Sequence, residues 1–140
     1  MDNPQSPLLF AKINQRGVSM SVFACGAIMV LLILAGLVVD GAAQLAAHQR
    51  ANTGAAQVAR FAMDAAAPYL ADGQDGRTVA LAAAWANAAQ YDDLAFSITL
   101  DGSGALHIDT ATSVRTVFLT LIGIPTLSAS GHAVAVVFEP

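Results

Sequence analysis

The chain reads as an α+β protein: a long N-terminal helix, a second, shorter helix and a three-stranded antiparallel sheet. Three observations predict that class. Residues 18–39 carry no charge and are mostly apolar. An alanine-rich stretch without proline follows them as far as Ala67. From Leu94 onward apolar and polar residues alternate, with a Gly-rich turn at Asp101-Gly102-Ser103-Gly104. That is the period of a half-buried strand and the punctuation of a hairpin.

The apolar run comes first. A helix rises about 1.5 Å per residue, so Val18 to Val39 span roughly 33 Å, close to the ~30 Å hydrocarbon core of a bilayer. Backbone groups in lipid must pair internally, which makes the run a helix. Its length and its lack of a polar face argue against a buried helix of a soluble protein. Lys12 and Arg16 precede it, Asp40 follows it, and the next base is Arg50. Positive charge stays in the cytoplasm, so the N-terminus is expected inside and residues 40–140 outside. The apolar region of a signal peptide is only about 7–15 residues long, which favours retention of this run as an anchor. Gly41-Ala42-Ala43 is nevertheless small enough to fit a cleavage site. Gly17, Ser21 and Cys25 recur at every fourth position, with Ala24 beside them. Such a stripe lets another membrane helix approach closely. Cys25 is the only cysteine, so no disulfide forms within the chain. Phe23 fits a lipoprotein site poorly and the run continues past Cys25, so that residue reads as a small packing group.

The helix should continue through residues 40–67, because alanine is the best helix former. Arg50, Gln57, Arg60 and Asp64 mark a polar face, and Ala51, Ala55, Val58, Ala62 and Ala66 an apolar one. The small residues suit close packing against another helix or a sheet. Replacing Ala55 and Ala62 by Leu is expected to disrupt assembly if that face meets a partner. Pro68 and the loop 71–76 are expected to stop the helix. A second helix is predicted over about Thr78 to Gln90, capped by Thr78 or Asp75, with Leu81, Ala82, Trp85, Ala86 and Ala89 on one face and Trp85 as its core anchor. In the first strand Leu94, Phe96, Ile98 and Leu100 share a face. In the return strand Leu106, Ile108 and Val114 lie opposite His107, Asp109, Ala111, Ser113 and Arg115. Val117 to Ile124 reads as a short helix or turn packed on the sheet and ended by Pro125, and Thr126 to Phe138 as the third strand.

The resemblance of this chain to a known family rests on an ordered set of motifs: Arg16-Gly17-Val18-Ser19, Leu37-Val38-Val39-Asp40-Gly41, His48-Gln49-Arg50-Ala51-Asn52, the apolar segment Val117 to Ile124, and Leu127-Ser128-Ala129-Ser130-Gly131-His132-Ala133. Together they cover nearly the whole chain, and it resembles the TadE/TadG-like minor pilins of bacterial tight-adherence (Tad/Flp) pili. The resemblance implies a pilin-like fold and a structural, non-enzymatic role in pilus assembly. It implies other pilins and the membrane platform of the Tad machinery as partners. It also implies the bacterial cytoplasmic membrane as the location, with incorporation into a pilus as a further outcome, and prepilin peptidase cutting a leader between Gly17 and Val18. One position departs from the pattern. Such pilins typically carry Glu five residues after the cleaved glycine, and here the residue is Val22. A membrane-buried Glu is kept for pairing with a neighbouring subunit's terminal amine. Its loss argues against the repeating major subunit.

The expected organisation is therefore a leader (1–17), a membrane helix (18–39), its exposed continuation (40–67) and a small α+β extracytoplasmic domain (68–140). With 11% charged residues, a net charge of −4 and no basic patch outside the anchor, nucleic acid is not an expected partner. The lipid bilayer is. No cofactor, metal or small-molecule substrate is expected. His107 and Asp109 share a strand face and would reach a metal with His132 if the strands paired suitably, but a solvated sheet face explains them as well. Asp92-Asp93 reads as a strand-start signal rather than an acid/base pair. No nucleophile elbow, phosphate loop or HExxH helix occurs, so no catalytic residue is assigned. The alternative function is a signal-anchored envelope module that binds a peptide or glycan, unrelated to pili, for which an exposed aromatic patch would speak.

Overall fold

The computed structural model describes residues 15–137, with side-chain surroundings from Ser19 onward. The expected leader lies outside the described residues except for its last three positions, which are helical. The architecture is α+β: α1 (Gln15–Ala71), α2 (Arg77–Ala88), β1 (Ala95–Leu100), β2 (Ala105–Arg115), a 3-10 helix (Leu119–Ile122) and β3 (Thr126–Val136). The chain divides into two compact units, one ending at Ala35 and the other beginning at Gly36.

In the first unit every described residue from Ser19 to Ala35 is exposed. The helix contains a window of mean hydropathy 2.9 and is long and apolar enough to cross a membrane.

The second unit is a helix-on-sheet layer. The strands run β1-β2-β3, all antiparallel, with Ile98 opposite Ile108 and Ile108 opposite Ala133. Leu106, Ile108 and Val137 project from the sheet to meet Ala55, Val58, Ala62 and Ala66 of α1 and Ala80 and Ala84 of α2. The predicted apolar face of α1 is thus fully buried. Small side chains allow the closest approach. A Cβ on Gly131 would overlap the backbone of Ala51 and Asn52, so only glycine fits where β3 crosses the helix. Thr110 in the central strand donates its hydroxyl to the Ala51 carbonyl at 3.0 Å.

β3 is an edge strand, and α1 covers its backbone with a polar ladder. Gln44 Nε2 donates to the Ser128 carbonyl (3.3 Å), His48 Nδ1 lies within hydrogen-bond reach of the Ser130 carbonyl (3.0 Å) and N–H (3.2 Å), its tautomer deciding which it bonds, and Asn52 Oδ1 accepts from the His132 N–H (3.2 Å). Every fourth helix residue therefore meets every second strand residue. A covered edge offers no template for an added strand.

Three expectations are corrected. Pro68 does not stop the helix. It sits inside α1, which runs on to Ala71. The end comes at Gly73, whose φ of 69° turns the chain left-handed while its N–H bonds the Leu70 carbonyl at 3.1 Å. Proline costs a helix only its own N–H and the carbonyl four residues back, a loss tolerable near the terminus.

The face of α2 is also rotated from its predicted phase. Ala80, Ala84 and Ala88 are buried, whereas Trp85 is 47% exposed and Ala82, Ala86 and Ala89 face solvent. The closest approach selects the four-residue row of alanines and leaves the large ring outside. Gly76, not Thr78, occupies the cap position, and Asp75 accepts the Arg77 N–H at 2.9 Å.

Finally, the segment Val117 to Ile124 does not pack on the sheet, and no residue of its 3-10 helix is buried. It lies instead beside α1.

Candidate functional site

The feature that organises the start of the second unit is Asp40. Its side chain is 2% exposed, although an aspartate closing an apolar run would ordinarily face water. Its carboxylate accepts three backbone N–H groups: Val117 at 2.8 Å on Oδ1, and Phe118 at 2.9 Å and Leu119 at 2.7 Å on Oδ2. These are the unpaired donors at the start of the 3-10 helix, so the carboxylate caps that turn from 77–79 residues away in sequence. The bonds, that from Val117 foremost, hold the Asp40 carboxyl below its ordinary value against the opposing push of desolvation.

The clamped segment closes on itself. Thr116 N–H bonds the Pro125 carbonyl at 3.0 Å, the Thr116 hydroxyl bonds the Ile124 carbonyl, and Ile124 N–H returns to Leu119 at 3.0 Å. Phe118 lies over Gly36, where any Cβ would overlap its ring. Val117, Leu121 and Ile122 point outward, 67%, 83% and 72% exposed.

The other predicted site residues fare differently. Gly17 and Val18 are within α1, but their surroundings fall outside the described residues. Ser21 and Cys25 are exposed along the apolar run, like every other described residue from Ser19 to Ala35. Ala51, Ala55, Val58, Ala62 and Ala66 are not available to a partner, because the chain's own sheet and α2 occupy that face.

On the opposite sheet face the pairing of β2 with β3 sets Asp109 across from His132, with Nδ1 to Oδ1 at 2.7 Å. The rings of His107 and His132 stack with centroids 6.0 Å apart. His107 Nε2 approaches Asp101 Oδ2 at 3.4 Å, and Asp101 also accepts from Ser103 and Ala105 in the hairpin. The Ser103 hydroxyl, followed by the Ala105 N–H, draws the Asp101 carboxyl down to about 2. Each imidazole turns to its own carboxylate. Among the described residues no group of three or more His, Cys, Asp or Glu converges as a metal site. Asp93 of the acidic pair bonds Arg50 at 2.6 Å, and its carbonyl accepts the Thr112 hydroxyl.

The chain matches no protein-family model, no curated protein and no solved structure. The clamp at Asp40 was not foreseen from the sequence. Its only local signal is a carboxylate placed directly against an apolar run, within the motif Leu37-Val38-Val39-Asp40-Gly41.

Proposed function

We propose that this protein is a single-pass, non-enzymatic structural subunit, a minor pilin or pseudopilin contributing to assembly of a Tad-type pilus. It sits in the bacterial cytoplasmic membrane with its N-terminus inside and its sheet-bearing unit outside. The observation that carries this reading is α1 itself. One helix is apolar and exposed along its first part and fused to a sheet along its second. The membrane part holds the subunit until it is loaded, and the α+β unit is carried outward on it. Contacts with other pilins and with the membrane platform fall to the stripe at Gly17, Ser21 and Cys25, since the alanine face is already occupied.

The intact mass of the chain recovered from its native membranes tests this. A start at Val18 is the expected result for a processed pilin and requires prepilin peptidase to accept Val22. A full-length chain shifts the role to an assembly accessory. A start near residue 44 would discard the anchor and Asp40 together and overturn the proposal.

A second reading, an anchored module for a peptide or glycan, is favoured by the exposure of Trp85 and Tyr69. Titration of Trp85 fluorescence with envelope glycans distinguishes it: a saturable change supports binding, and a flat response removes it.

A further inference from the structure

We infer that the loop 117–124 is a second membrane contact, a clamped apolar lip that enters the lipid interface beside the outer end of the membrane helix. The inference rests on the anchoring half of the proposed function and is independent of the pilus.

Composition is the first argument. From Thr116 to Pro125 there is no charged residue, and the outward side chains are Val, Leu and Ile. Backbone satisfaction is the second. Lipid tolerates only peptide groups that already have partners. Every N–H from Thr116 to Leu119 is bonded within the chain, and so are those of Leu121, Gly123 and Ile124. The hydroxyls of Thr116 and Thr120 are bonded as well.

Position is the third argument. Asp40 fixes the base of the loop, and Phe118 reaches back to Gly36, a full turn or about 6 Å toward the apolar run. The neighbouring Leu37, Val38 and Val39 are exposed apolar residues of the same run. The lip therefore continues the surface that the anchoring reading assigns to lipid, at the depth where acyl chains meet headgroups. The Asp40 charge is carried there with three N–H partners, which lowers the cost of holding it near the bilayer.

The test uses the full chain in a Cys25→Ser background, with single cysteines placed by Met29→Cys, Leu121→Cys and Thr78→Cys. Each variant is spin-labelled and reconstituted in phosphatidylcholine–phosphatidylglycerol vesicles. Collision with oxygen, which partitions into lipid, is compared with collision with a water-soluble nickel chelate. The label at 121 is expected to favour oxygen several-fold, as the label at 29 does, while the label at 78 favours nickel. A label at 121 as open to nickel as that at 78, with 29 still in lipid, overturns the lip and leaves the anchor standing. If 29 is also open to nickel, the anchoring reading fails with it. Protection of 121 from both probes that grows with protein-to-lipid ratio would put a second copy there and overturn the lipid assignment.

Discussion

The stretches Ser19–Ala35 and Gln44–Ala66 belong to the same helix, and both place small residues four apart, yet the first is exposed throughout and the second carries a buried face. Ser21 and Cys25 stand among Ile, Leu, Met and Val that point in every direction, and none of these is covered by the chain. Ala51, Ala55, Ala62 and Ala66 stand on a narrow face whose reverse carries Arg50, Gln57 and Arg60, and the sheet and α2 together bury that face. The backbone is the same in both. What differs is whether the large apolar groups surround the helix or are supplied by a partner element across a small-residue groove. The helix apolar all round is a candidate membrane span, and the one-sided small face is taken by the chain's own sheet and second helix.

The sharpest way to break the comparison is to fill the groove. Gly131→Val drives side-chain atoms into the backbone of Ala51 and Asn52. Its cost should exceed the usual ~1–3 kcal/mol of overpacking, so the second unit is expected not to fold. Limited proteolysis in detergent should then leave only the apolar helix protected. Next in size, Leu106→Ala, at a fully buried position, should lower unfolding stability by about 3 kcal/mol. Leu31→Ala in the exposed run should stay within ~0.5 kcal/mol in the same detergent melt. Equal losses at the two sites would erase the distinction. By the same logic Ala55→Leu and Ala62→Leu should destabilise the unit itself before they affect any assembly.

A more local effect is expected at the boundary between the two regions. Asp40→Asn should accelerate amide exchange of Val117, Phe118 and Leu119 while leaving β2 protected. The pH dependence has a definite sign. The carboxyl titrates below its ordinary 3.8 in the folded chain. Its contribution is therefore complete above that value and is lost as the pH falls through the lower folded value. The hairpin at Asp101 should follow the same course, loosening only as the pH approaches about 2. Amide exchange measured from neutral pH downward checks both. The smallest effect is expected for Arg50→Ala. The ion pair with Asp93 is 65% and 46% exposed at its side chains and should contribute no more than ~0.5 kcal/mol, fading in high salt.

Most of the sheet was legible because alternation leaves a strand one choice of face. Phe96, Ile98, Leu106 and Ile108 point inward as their spacing requires. The alanine face of α1 was legible because Arg50, Gln57 and Arg60 fix the phase. In α2 that information is missing. Alanines occupy nearly every phase between Ala80 and Ala89, and the one large side chain, Trp85, points to the wrong one. The path of the segment Val117 to Ile124 was not legible for a different reason. Its anchor is a carboxylate 77–79 residues away, and no local pattern encodes such a bond.

The ladder of Gln44, His48 and Asn52 on β3 works as a vernier. Four helix residues advance about 6 Å and two strand residues about 6.6 Å, so each rung drifts by only ~0.6 Å. Three rungs stay within hydrogen-bond tolerance, and a longer ladder would not. A slip of β3 by one residue would turn Ala129 and Gly131 outward and lift the strand off the helix. The two scales agree at one setting, so the helix that carries the unit also sets the register of its sheet.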